Sequence, residues 1–148
     1  MGGNKIYRIA VIDGQGGGIG AQIVEKLAMS LPAARAEIIA LGTNALAAGR
    51  MYKAGANEVA SGENAIIYNV GRVDLLAGAV GMIMPYGFSG EMTTLAAEAV
   101  ALSPAPKYVL HLNRSGVELV GSSPEPLPHL VDVLVDKIRA LLNLGSGH

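Results

Sequence analysis

A three-layer α/β fold with a doubly wound, mainly parallel sheet is predicted for this 148-residue chain, on three observations. Short apolar runs of strand length alternate with stretches whose apolar residues recur at helical spacing. The first run, Ile9 to Ile12, is apolar throughout, as strands covered on both faces of a parallel sheet are. It passes through Asp13 into a turn carrying Gly14, Gly16, Gly17, Gly18 and Gly20, and a helical pattern follows at once. Right-handed crossovers then make a strand order such as 3-2-1-4-5 the natural one.

The elements follow in order. Tyr7 to Ile12 is the first strand. Ile19, Ile23, Val24, Leu27 and Leu31 repeat at helical spacing, and Pro32 stops that helix. Glu37 to Leu41 is the second strand, ending at Gly42, Thr43 and Asn44. The next helix runs from about Ala45 to Ala54, with Gly55 at its C-terminal end. Glu58 to Ala60 reads as a short third strand. Ser61, Gly62, Glu63 and Asn64 then form a loop and helix start, with Ala65 to Val70 as the helical turns.

Leu75 to Met84 reads as the fourth strand, in which Gly78 and Gly81 suggest close packing of backbone or ligand. Pro85 to Gly90 is a glycine-bearing loop, and Met92 to Leu102 an alanine-rich helix halted near Ser103 and Pro104. Lys107 to Leu112 is the fifth strand. A tight turn from Asn113 to Gly116 returns Val117 to Val120 as a C-terminal antiparallel edge strand. A proline-rich link, Pro124 to Pro128, leads into a last helix with a buried stripe of Leu130, Leu134, Ile138 and Leu141. No linker divides the chain, so residues 1–148 read as one Rossmann-like domain, in which 145–148 look like a cloning remnant; His148 is therefore discounted as a ligand.

Composition narrows the function classes. Formal net charge is −1 and the basic residues are scattered, so there is no electrostatic footprint for nucleic acid. With no Trp and one Phe, base-stacking platforms are not expected. Absence of cysteine excludes disulfides, thiol nucleophiles, zinc–thiolate sites and iron–sulfur clusters, and fits a cytoplasmic protein. No signal peptide is visible, and the longest apolar run is half of the ~20 residues a spanning helix needs. Apolar residues make up 51% and charged residues 16%, below the roughly 25% usual for soluble domains, which predicts a homo-oligomer.

Strand, glycine loop and helix together present free backbone N–H groups to a phosphate. Gly14, Gly18 and Gly20 fit Gly-x-x-x-Gly-x-Gly, which resembles short-chain dehydrogenases. Gly16, Gly18 and Ala21 fit Gly-x-Gly-x-x-Ala, which resembles the general Rossmann fingerprint. A tight β–α turn needs two or three glycines; five cost more conformational entropy than a turn explains. The predicted cofactor-binding set is therefore Asp13, Gly14, Gln15, Gly16, Gly17, Gly18, Ile19 and Gly20, joined by Thr43, Asn44, Glu63 and Asn64. The expected ligand is NAD(P) or another nucleotide.

Three familiar schemes are incomplete. No Lys-Ser or Lys-Thr follows the glycines, so this is not a Walker A loop. The second strand ends in Gly42-Thr43-Asn44, where a ribose-binding Asp or Glu is usual; Thr43 and Asn44 could bind a ribose hydroxyl or a 2′-phosphate, with Arg50 further on. No tyrosine has a lysine four residues later; Tyr68 has Arg72, a poor substitute.

Asp13 could hold Mg²⁺, accept from a sugar hydroxyl, or cap the glycine loop, of which capping is preferred. Glu63 and Glu91 could each be a second carboxylate of a metal site or a first-turn helix acid, and no metal is expected. His111 reads as a core or lining histidine and His129 as solvent-facing. Asn113 and Arg114 join the ligand edge if the fifth strand is parallel.

Asp13 to Gly20, Leu41 to Ala45, Gly55 to Asn57, Gly62 to Ile66 and Leu112 to Arg114 together resemble a family of small bacterial proteins of unknown function, over roughly residues 6 to 121. The resemblance implies a Rossmann-like fold and one shared site, and it supplies no catalytic residue. The leading expectation is a nucleotide- or dinucleotide-binding protein; if it is an enzyme, an NAD(P)-linked redox step leads. The alternative is a non-enzymatic oligomeric sensor or scaffold, binding a simple anion or nothing and associating through Met92 to Leu102. A metal-dependent enzyme using Asp13 and Glu63 ranks third.

Overall fold

Side chains alternate across each strand, so a parallel sheet with apolar residues at both parities needs a helical layer on each face. The computed structural model, which describes residues 5–112 and 116–144, has this arrangement. Five strands, β1 (Tyr7–Asp13), β2 (Ala36–Gly42), β3 (Glu58–Ser61), β4 (Leu75–Ala79) and β5 (Lys107–Leu110), form one sheet in the order β3-β2-β1-β4-β5. Every pairing is parallel, and β1 is central, with Ile9 opposite Ile38 on one side and Leu75 on the other.

Helices α1 (Gly18–Ser30), α2 (Ala45–Lys53) and α5 (Leu127–Leu141) cover one face; α3 (Glu63–Val70) and α4 (Thr94–Leu102) cover the other. Ile9 and Val11 meet Ile23, Leu27, Met51 and Ile138 on the first face. Ala10 and Ile12 meet Ile66, Val70, Met82 and Val100 on the second. These two buried clusters give the three predicted layers. Among the described residues, no helix is long and apolar enough to cross a membrane.

Three expectations need correction. The fourth strand ends at Ala79 rather than Met84, and Val80–Ile83 forms a 3-10 turn. An apolar run carries no mark of where a buried strand gives way to a buried turn. Val117 to Val120 forms no antiparallel strand. The Leu119 carbonyl, which a strand pairing would use, accepts both the N–H and the hydroxyl of Ser122, and Gly116 and Gly121 have left-handed φ of 72° and 96°. The turn predicted at Asn113 to Gly116 lies mostly outside the described residues, as do Asn113 and Arg114 as edge residues. On α5, Val131, Leu134, Val135 and Ile138 are buried while Leu141 is 48% exposed. At 3.6 residues per turn the apolar stripe drifts, and by Leu141 the helix has turned that position away from the sheet. The remaining boundaries shift by a residue or two: β5 stops at Leu110, and α4 starts at Thr94, with the Thr93 hydroxyl accepting from the Ala96 N–H.

Candidate functional site at the C-terminal edge of the sheet

In an open parallel sheet, adjacent strands whose connections depart to opposite faces leave a crevice at their carboxyl ends. Here those strands are β1 and β4. A pocket of about 400 Å³ opens there, lined by Asp13 and Gln15 from the end of β1, Ile19 from α1, Ala79 from β4 and Leu110 from β5. Tyr86, Phe88 and Ser89 close its outer side.

The glycine loop joins β1 to α1. Its first structural problem is the start of α1, whose leading N–H groups have no partner inside the helix. The residue that would cap it, Gly17, has φ 76° and no side chain. Asp13 does the capping from the end of the strand: its Oδ2 accepts from the Gly20 N–H at 2.7 Å and its Oδ1 from the Gly14 N–H at 2.8 Å. Asp13 is buried. Burial pushes its pKa up and the nearby Glu91 carboxylate adds to the rise, against the Gly20 and Gly14 N–H groups and Arg50, which favour the carboxylate.

Three of the five glycines are explained by packing. A Cβ on Gly14 would lie 2.6 Å from Thr43 Oγ1 and 2.8 Å from Phe88 Cβ; one on Gly20 would lie 2.5 Å from Met51 Sδ. A Cβ on Gly17 would meet the Ala47 backbone at 2.8 Å. The other two are not. Around Gly16 the nearest atom is Arg50 Nη1 at 3.9 Å, and Gly18 meets only the same flexible guanidinium, at 3.3 Å. The N–H groups of Gly16, Gly18 and Ile19 have no hydrogen-bond partner among the described residues. Arg50 itself leans on the loop, with Nη1 3.5 Å from the Gly16 carbonyl oxygen.

Thr43 and Asn44 sit at the end of β2, where the sequence places them, but their polar atoms are engaged. Asn44 Oδ1 accepts from the Ala47 N–H and so caps α2, which turns its amide NH₂ outward. That NH₂ donates to the Gln15 carbonyl at 3.0 Å and to Glu91 Oε1 at 2.8 Å. The Thr43 hydroxyl donates to the same Glu91 oxygen at 2.7 Å, and the Gln15 N–H at 2.8 Å. These bonds hold the Glu91 carboxyl below its ordinary pKa, the Thr43 hydroxyl contributing most and the Gln15 N–H next.

The sequence places the Tyr86 to Glu91 loop at this edge of the sheet but does not show what Glu91 meets. Glu91 lies ahead of α4, at the end of a strap from Tyr86 to Glu91 that crosses the tip of β1 from the β4 side to the β2 side. Phe88 rests on Gly14, the Ser89 hydroxyl accepts from Gln15 Nε2 at 2.8 Å, and Glu91 reaches Thr43 and Asn44. Tyr86, Phe88 and Ser89 have left-handed φ of 66°, 57° and 57°, a backbone strain that persists only where the surrounding structure holds it. The only sequence signal was a loop acid on the same sheet edge as unpaired donors.

The remaining predicted residues lie apart from the loop. Glu63 opens α3 and lines a small cleft of about 50 Å³ with Thr43, Ile66, Glu91, Thr93 and Ala96; Asn64 is exposed beside it. No group of three or more His, Cys, Asp or Glu able to hold a metal occurs among the described residues. Both nitrogens of His111, beyond the end of β5, are buried with no hydrogen-bond partner among the described residues, and the residue lines a second crevice against α5. His129 is exposed, with Nε2 3.1 Å from Glu125 Oε1.

Sheet order and glycine loop together define a Rossmann-like α/β protein. The chain belongs to the DUF3842 family, described as a domain of unknown function, whose family model matches residues 8–143. No curated protein matches it.

Proposed function

We propose that this protein binds a phosphorylated small molecule of nucleotide type, with a phosphate on the N–H groups of Gly16, Gly18 and Ile19. One observation carries the reading. Packing does not require glycine at Gly16 or Gly18, their N–H groups have no hydrogen-bond partner among the described residues, and a guanidinium stands beside them. A Cβ-free surface, unpaired donors at the positive end of α1 and an adjacent cation are what a phosphate needs. The pocket between β1 and β4 would take the rest of the molecule. At about 400 Å³ it suits a mononucleotide-sized ligand. A dinucleotide such as NAD or NADP would run on towards Thr43 and Asn44, across the strap, and would need the strap displaced.

Calorimetric titration of AMP, ADP, NAD and NADP into the wild type and into Gly16→Asp tests this. The expected result is binding of at least one nucleotide by the wild type. Gly16→Asp should lose it while keeping its melting temperature, because the new carboxylate repels the phosphate at a position with room for a side chain. No heat from any of the four at millimolar concentration would overturn the reading.

A further inference from the structure

The donors around Glu91 have a geometry of their own. The Gln15 N–H, the Thr43 hydroxyl and the Asn44 NH₂ come from two different loops and converge on one atom, Glu91 Oε1, at 2.7 to 2.8 Å. Two of the three are fixed independently of Glu91. The Thr43 N–H donates to the Asp13 carbonyl at 3.0 Å, which sets the backbone of that turn, and the Asn44 side chain is locked by capping α2. The cluster is thus arranged in advance to receive an anionic oxygen.

We propose that Gln15 N–H, Thr43 Oγ1 and Asn44 Nδ2 form an oxyanion subsite, filled here by the protein's own Glu91 carboxylate, which an anionic group of a diphosphate-type ligand replaces. The proposal rests on the reading of the glycine loop as a phosphate site, and adds the ligand class and the group it must displace. The Gln15 N–H adjoins that of Gly16 in the chain, so a phosphate on Gly16 and Gly18 brings a second anionic group within reach of the subsite.

Exchange requires little rearrangement. The strap is closed by its own bonds: Tyr86 N–H to the Met92 carbonyl at 2.7 Å, Met92 N–H to Gly87 at 2.9 Å and Gly90 N–H to Tyr86 at 2.8 Å. Met92 is fully buried beneath it. The backbone therefore has an anchor that does not involve Glu91, whose side chain is exposed and whose Oε2 has no partner among the described residues. Rotation of that one side chain empties the subsite. Glu91 then acts as an internal competitor. If it fills the subsite about nine-tenths of the time, it weakens an incoming anion about tenfold.

The test uses inorganic pyrophosphate and backbone and side-chain amide NMR on the wild type, Glu91→Ala and, should the alanine variant not fold, Glu91→Gln. Glu91→Ala is expected to bind pyrophosphate about tenfold more tightly than the wild type. The Gln15 N–H and Asn44 NH₂ resonances should move on binding, and adding Thr43→Val should remove the gain. Unchanged or weaker binding by Glu91→Ala, or a Gln15 resonance that does not respond, overturns the subsite. If Gly16, Gly18 and Ile19 amides move while Gln15 does not, the subsite fails and the phosphate loop stands. If no amide moves in any protein, both fail.

Discussion

At the scale of single residues, the five glycines divide by what their absent side chains would touch. Gly14, Gly17 and Gly20 let the turn pack against Phe88, Ala47 and Met51. Gly16 and Gly18 answer to no such constraint. Gly20→Ala is therefore expected to destabilise the protein by about 1–3 kcal/mol, as overpacking does. Gly16→Ala, whose φ is not left-handed, should leave stability unchanged or raise it by up to about 1 kcal/mol through the unfolded chain. Urea denaturation of both variants checks this, and a Gly16→Ala as damaging as Gly20→Ala would remove the reason for assigning Gly16 to a ligand. Asp13 was readable as a loop cap because the N–H groups it accepts from, on Gly14 and Gly20, lie one and seven positions along the chain. Glu91 was not, because it meets Thr43 and Asn44 across 48 and 47 positions of chain. No local periodicity records such a meeting.

The two carboxyl groups respond to pH with opposite signs. The folded protein holds Glu91 below the ordinary 4.5, so its contribution is present above that value and is lost as pH falls through the lowered one. Asp13 is held above its ordinary 3.8, so its burial costs stability as pH rises through that value towards the raised one. Comparing the wild type with Glu91→Gln isolates the first effect. The wild type should melt at a higher temperature near neutral pH, and the gap should close as pH falls below about 4.5. A gap that stays constant down to strongly acidic pH would mean that the three donors do not favour the ionised form. The repulsion between ionised Glu91 and Asp13 narrows that gap near neutral pH and disappears once either group is protonated, so it works against the closing.

At the scale of elements, the strands and helices were legible because buried strands read as apolar runs and helices as 3.6-residue repeats. Their ends were not. Leu75 to Met84 is continuous to the eye, but the chain turns after Ala79, and a Cβ on Gly81 would lie 3.1 Å from the Phe88 ring. That turn points the strap back over β1, so the misplaced strand end and the missed role of Glu91 have one origin. The helix α5 gives a further check. Leu134 is 4% exposed and Leu141 48% exposed. Leu134→Ala should cost about 2–5 kcal/mol in chemical denaturation, and Leu141→Ala well under half of that. Equal costs would mean that Leu141 is covered by something other than this chain's own core.

For the whole molecule, the strand order β3-β2-β1-β4-β5 puts the glycine loop, the pocket and the strap at one edge of the sheet, where connections to opposite faces leave a crevice. The opposite edge is tied by ion pairs: Arg8 to Glu58 at 2.9 Å and Lys5 to Asp74 at 3.0 Å. The molecule thus has a closed end and a receptive end, and the proposed phosphate site lies at the receptive one. It is tested most directly by following the Gly16, Gly18 and Ile19 amide resonances of the wild type during titration with ADP. These three should shift together and saturably, ahead of residues at the closed end such as Arg8. Saturable binding elsewhere with these three unmoved, or no binding at all, would contradict it.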